Sequence, residues 1–188
     1  RRRVWTSATE RTASIQLVPN SVLEGSAWIV VSYSDLASNE GSTVSAVTDG
    51  SQVMIDLTAP TLSTVTIASD NALDSTMANA GDTVALSITA SEPIITPLVL
   101  IKGQPATVSG SGTSFTATYT VDAGQVSEGL VYILVEFEDL ASNSGADVLS
   151  VTDTSSVTVD LTVPSLTHVS LASNNAGDPS VANAGDTI

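Results

Sequence analysis

Any chemistry this chain performs has to come from carboxylates, because little else reactive is present. Its 188 residues hold 20 Asp and Glu, one His and no Cys. Disulfides, thiolate metal sites and cysteine nucleophiles are therefore excluded. A Ser-His-Asp arrangement needs a base, and His168 is the sole histidine. The matching residue 104 positions earlier is Thr64, so His168 reads as a solvated strand residue. One His without Cys also leaves zinc short of ligands. Paired carboxylates can hydrolyse glycosides, but these acids are scattered over turns. No P-loop, dinucleotide fingerprint or EF-hand loop is present. No enzyme is expected. A hard cation bound by loop oxygens is the one chemistry the acids favour.

The elements that must carry those acids come in a repeat. Asp35-Leu-Ala-Ser-Asn39 returns as Asp139-Leu-Ala-Ser-Asn143, and Asp56-Leu-Thr-Ala-Pro60 as Asp160-Leu-Thr-Val-Pro164. Asn79-Ala-Gly-Asp-Thr83 returns as Asn183-Ala-Gly-Asp-Thr187. Every pair is 104 residues apart, and residues 23–84 match 127–188 at 33 of 62 positions. Such periodicity marks a tandem array. Pro60 and Pro164 cannot continue a ladder and so mark the boundaries. The chain then holds the C-terminal part of one repeat (1–60), a complete repeat (61–164) and the N-terminal strands of the next (165–188).

Charge limits the partners. From Thr12 onward a single Lys faces 19 acids, a net −18 before His168 is counted. That field repels phosphate backbones and anionic lipid, so no nucleic acid is expected as a partner. Apolar runs such as Leu130–Val135 are too short for membrane insertion. Arg1-Arg2-Arg3-Val4-Trp5 lacks the apolar stretch of a signal peptide, so any export signal is expected to lie outside these residues.

Ser and Thr make up 52 residues, hydrophobic residues 42% and aromatics 4%, which suits an all-β protein rather than a disordered acidic chain. Strands are predicted over 62–68, 83–90, 97–101, 106–109, 114–121, 131–138 and 156–162, with a turn at Gly110-Ser-Gly112. Period-2 alternation sends Val65 and Ile67 inward, then Val84, Leu86, Ile88 and Ala90, then Phe115, Ala117, Tyr119 and Val121. Val131, Ile133, Val135 and Phe137 follow, and finally Val157, Val159 and Leu161. About seven strands in 104 residues fit one antiparallel β-sandwich per repeat.

These motifs carry a family resemblance. Asp-Leu-Thr-Ala-Pro-Thr at the junction, Ala-Gly-Asp-Thr-Val, Ala-Ser-Glu-Pro and Phe-Glu-Asp-Leu-Ala-Ser-Asn together resemble the tandem bacterial immunoglobulin-like repeats of large exported surface proteins and adhesins. The resemblance spans essentially the whole chain, although the Cys pair and strand-C Trp of antibody-type domains are absent. It implies tandem Ig-like sandwiches at the bacterial cell surface or outside the cell. It also implies a spacing, display or adhesion role in a stalk or filament, and neighbouring repeats or other copies as head-to-tail partners.

In such a sandwich the end of one repeat's last strand meets loops of the next. That would bring Asp56 to Glu92, Asp139 and Asn143, with Asp160 in the same role one junction later. A Ca2+ ion there would neutralise clustered charge and stiffen the hinge. The competing reading is that these acids only form Asx-turns and keep the surface soluble. Trp28 and Tyr132 hold equivalent outward positions on the sixth strand, where an aromatic stacks on a sugar or packs under a loop. They are the candidate ligand residues of an alternative, binding-module reading.

The terminal segments together lack only the equivalent of 85–104. A 24-residue piece with one strand and the start of another cannot bury its own apolar face. Either it belongs to a longer fibre, the favoured reading, or one copy's tail completes another's head by strand addition. Both predict head-to-tail contacts.

Overall fold

Between residues 62 and 160, Val, Ile and Thr recur at alternate positions, and stiff β-branched side chains suit a pleated, half-buried surface. The computed structural model describes residues 2–5, 11–18 and 22–188, and strands are its only regular elements. β1 (Arg2–Trp5) pairs antiparallel with β2 (Arg11–Ser14), and β3 (Gly25–Ser26) with β4 (Met54–Ile55). The complete repeat follows with β5 (Leu62–Ser69), β6 (Met77–Ala78), β7 (Thr83–Ala90), β8 (Leu98–Ile101) and β9 (Gln104–Pro105). It continues with β10 (Thr107–Ser111), β11 (Ser114–Thr120), β12 (Gly129–Leu130), β13 (Ile133–Glu136) and β14 (Thr158–Val159).

One antiparallel sheet runs β10-β11-β7-β5. Two three-stranded sheets, β13-β8-β9 and β12-β14-β6, supply the other face, with β14 and β6 parallel. Bridges Val135–Val148 and Glu138–Ser144 lay the following segment beside β13. Both faces feed one core. Val65, Ile67, Val84, Leu86, Ile88, Phe115 and Ala117 come from the first sheet, and Val99, Ile101, Ile133, Val135, Val157 and Val159 from the others. β5, β7, β8, β11 and β13 bury alternate residues, as their alternation predicts, whereas the edge strand β10 buries none. Tyr119, Val131 and Leu161 lie at the margin of that core, only partly buried.

The edge of β5 is covered by hydroxyls rather than by another strand. Val65 N–H donates to Thr152 Oγ1 at 2.9 Å and Ile67 N–H to Ser155 Oγ at 3.0 Å, while Thr152 N–H donates to Val65 O at 2.8 Å. An open edge is a template for foreign pairing, and this strap occupies it.

Four predicted elements change. The strand expected over 131–138 shortens to β13, and residues 129–130 pair separately as β12. Gly110 stays in β10 opposite Phe115, and the chain reverses at Gly112-Thr113, closed by the Ser111–Ser114 pair. The last strand narrows to β14, because Leu161 N–H donates to Glu128 Oε1 at 2.9 Å instead of to a neighbouring strand. Residues 165–188 form no strand. In the complete repeat the equivalent strand, β5, takes its ladder from β7. The local turn survives in residues 165–188, with Asn175 Nδ2 donating to Asp186 Oδ2 at 3.1 Å as Asn71 Nδ2 does to Asp82 Oδ2 at 2.7 Å.

Candidate metal centre at the repeat junction

The turn after β13 is built by its first residue. Asp139 Oδ1 accepts from Ala141 N–H at 2.7 Å and Asn143 N–H at 2.9 Å, and its Oδ2 accepts from Asn143 Nδ2 at 2.8 Å. A carboxylate that replaces a backbone acceptor in this way is an Asx-turn. It holds Ser142 at φ 67°. The first repeat shows the same design, with Asp35 accepting from Ala37 and Asn39, and Ser38 at φ 68°. The two copies differ in surroundings: Asp139 is 1% exposed, whereas Asp35 faces solvent.

Two contacts bury Asp139. An antiparallel bridge joins it to Ile94, which brings in the loop carrying Glu92. Asn143 Nδ2 also donates to the backbone oxygen of Asp56 at 3.2 Å, tying in the end of the preceding repeat. As a result Asp56, Glu92 and Asp139 each present a carboxylate oxygen, all within 4.8 Å of one another. Among the described residues no other group of three His, Cys, Asp or Glu converges this way.

Charge accumulates at this point. Burial raises the Glu92 carboxyl above its ordinary pKa, and the charges of Asp56, Asp139 and Glu24 raise it further. Burial also pushes Asp139 upward, but the Asn143 side chain and the N–H groups of Asn143, Ala141 and Ser142 outweigh it, and the net shift is downward. The site thus keeps one carboxylate ionised by hydrogen bonds and crowds another against it. Two oxygens on one Ca2+ ion bound at about 2.4 Å lie at most roughly 4.8 Å apart, and the three carboxylate oxygens stay within that limit.

Asn143 serves differently from the other candidates. Its amide nitrogen, not its oxygen, faces Asp139 and Asp56, so it positions the carboxylates as a donor. Asp160 stands apart from the three. Its N–H donates to Ala78 O at 2.9 Å, its Oδ1 accepts from Thr162 N–H at 3.0 Å, and it lines a cavity of about 470 Å³ with Met77, Asn79 and Pro164. Trp28 is 82% exposed and Tyr132 60%. Lys102 Nζ lies 5.7 Å from the Tyr132 ring centroid, a cation–π distance.

One pair of acids escaped the sequence reading. Glu128 Oε1 accepts from Leu161 N–H and from Thr162 Oγ1 at 2.6 Å, and Glu24 Oε1 does the same for Leu57 and Thr58. Each Glu fastens the strand exit that leads into the next repeat. The signal was their identity at the 104-residue offset, each directly before a conserved-in-repeat Gly, Gly25 and Gly129.

Several of these carboxyls have depressed pKa values: Glu128 through the Thr162 hydroxyl and Leu161 N–H, Asp74 through Thr76, and Asp153 through Ser155. Their stabilisation is complete above the unfolded values of about 4 and is lost as pH falls through the lower folded values. Glu92, whose carboxyl is raised, acts in the opposite sense and gains stability as it protonates, so the thermal midpoint in chelator is expected to hold or rise slightly from pH 7 to about 5 and to fall below about 4. A midpoint unchanged at about pH 3 would contradict this.

No family model, curated protein or solved structure matches the chain.

Proposed function

We propose that this chain belongs to a non-catalytic array of Ig-like sandwiches, a stalk or filament of an exported bacterial surface protein, whose junctions bind Ca2+. The observation that carries the reading is the convergence of Asp56 from one repeat with Glu92 and Asp139 from the next. A cation there links two repeats by ionic bonds and removes the repulsion that bends them apart. The Glu24 and Glu128 contacts, repeated at each strand exit, support the same mechanical role. The order β10-β11-β7-β5 facing β13-β8-β9 is compatible with an Ig-like sandwich.

Thermal melting in Ca2+ and in chelator tests the cation. Ligand bound only by the folded state stabilises it by RT ln(1 + [L]/Kd), about 2.7 kcal/mol at a hundredfold excess over Kd. An upward shift in Ca2+ that disappears in Asp56→Ala is expected; identical midpoints would remove the cation from the proposal. Unfolding the chain under force tests the stalk role, with higher rupture forces expected in Ca2+ than in chelator. The exposure of Trp28 favours one second reading, a sugar-binding face. Glycan binding lost in Trp28→Ala would select it.

A further inference from the structure

The two outer faces of the complete repeat differ in kind. Across the sheet β10-β11-β7-β5 the outward rows are hydroxyls, as in Ser109–Thr116–Ser87–Thr66, which suits a face against water. The other outer face carries leucines. Pro105 pairs with Leu100 and Leu100 with Leu134. One step along from the Val135–Val148 bridge, Leu149 stands beside Leu134 and is 68% exposed. Four apolar side chains thus form one row across four neighbouring segments, and a contiguous exposed apolar patch of this kind marks an interaction surface.

The two flanks of the row are complementary to each other. On one flank stands the exposed Tyr132, whose ring rests on Gly103: a Cβ there would come within 3.1 Å of the Tyr132 hydroxyl. That hydroxyl makes no hydrogen bond among the described residues, and Lys102 Nζ lies 5.7 Å from the ring centroid. On the other flank a groove of about 350 Å³ is lined by Leu98, Glu136 and Asp147 with their neighbours. Tyr132 and Glu136 lie two residues either side of Leu134 on the same strand, so a knob and a groove sit at equal distances from the leucine row.

We propose that two copies of the chain pair through this face, about a two-fold axis lying along the row Pro105-Leu100-Leu134-Leu149. Each leucine then meets its own counterpart, with the two sheets packed as aligned layers about 10 Å apart. Tyr132 of each copy enters the groove of the other, where its hydroxyl donates to Glu136 or Asp147. Lys102, the one Lys of the chain, lies behind that ring and brings its charge toward those acids, so the potentials match as well as the shapes. Tyr132 is already held on Gly103, so little freedom is lost when it docks. A second copy is the occupant because one face carries both halves of the contact. The first repeat has Trp28 and Val30 at the knob and row positions but Ser32 and Thr43 in place of Glu136 and Asp147, so it lacks the acids that receive the knob. The contact goes beyond the array reading: it joins arrays side by side and needs no cation. It is measured in chelator, and its failure leaves the Ca2+ melting test standing.

Sedimentation of the 188-residue chain from about 1 to 500 µM tests it, a range over which mass action reveals weak association. A monomer–dimer equilibrium that stops at two copies is expected, because a contact of a face with itself closes. Tyr132→Ala should weaken pairing at least about tenfold, as for a central aromatic anchor, whereas Trp28→Ala leaves it unchanged. Tyr132 is exposed, so its variant keeps the fold even if a charge at the half-buried Leu134 does not. Leu134→Lys and Leu134→Glu each set like charges against one another on the axis and should remain monomeric. Their equimolar mixture should recover heterodimers, since opposite charges then meet. Monomers throughout, growth beyond two copies, association that follows Trp28 rather than Tyr132, or a mixture of folded Leu134 variants that stays monomeric would each overturn the proposal.

Discussion

Replacing Gly145 with Ala is expected to destabilise the complete repeat by about 1–3 kcal/mol, the usual penalty for overpacking a filled core. A Cβ at that position would lie 2.3 Å from Phe137 Cε2 and 2.4 Å from Cζ. The ring has little room to withdraw, since Phe137 is buried in the core. Nor has the backbone, since Gly145 N–H donates to Phe137 O at 3.0 Å. Gly145 is absent from the positive-φ residues, so the effect is purely steric. Phe137→Leu removes the offending ring atoms. The double variant should therefore lose less than the sum of the two single losses, as expected for residues in contact. Chemical denaturation of the four proteins measures the coupling. Strict additivity would show that the ring does not set the limit.

Asp139→Ala should be the most damaging substitution among the acids. It leaves the N–H groups of Ala141 and Asn143, together with Asn143 Nδ2, without the acceptor they share. Buried donors without partners lose their full hydration energy. Asn143 then loses the anchor that directs it at Asp56 O, and the two repeats uncouple. The loss is expected in chelator as well as in Ca2+, because the turn fails before any cation is involved. Asp139→Asn keeps one acceptor oxygen, so it should fall between wild type and Ala while abolishing the response to Ca2+. Asp35→Ala breaks the same turn in solvent, where water replaces the carboxylate, and its effect should be small. Equal losses at positions 35 and 139 would show that burial at the junction adds nothing.

The contrast between Asp35 and Asp139 also shows where the sequence stops speaking. Both stand in the same Asp-Leu-Ala-Ser-Asn motif, and its turn is legible from Asp and Asn spacing alone. Burial of Asp139 depends on Ile94 and Asp56, which lie 45 and 83 positions away, and no local pattern encodes that. The inward faces of β7 and β11 were readable because alternation over seven or eight residues is a strong signal. β14 was not, because two ladder positions are too few and its continuation is claimed by Glu128. The convergence of Asp56 with Glu92 and Asp139 was expected from the Ig-like resemblance, in which the end of one repeat's last strand meets loops of the next. Which end of the Asn143 amide turns toward them did not, since composition carries no rotamer.

The strap across β5 also bears on how the chain acquires its structure. Val65 and Thr152 are 87 positions apart, so the strap closes only after most of the repeat has been synthesised. Contacts of such high sequence separation slow folding, because loop entropy is lost before the contact forms. Until residues 152–155 arrive, the first strand of each repeat offers an open edge to whatever near-identical strand is closest. An incompletely made repeat therefore passes through a stage at which β5 is open to foreign pairing.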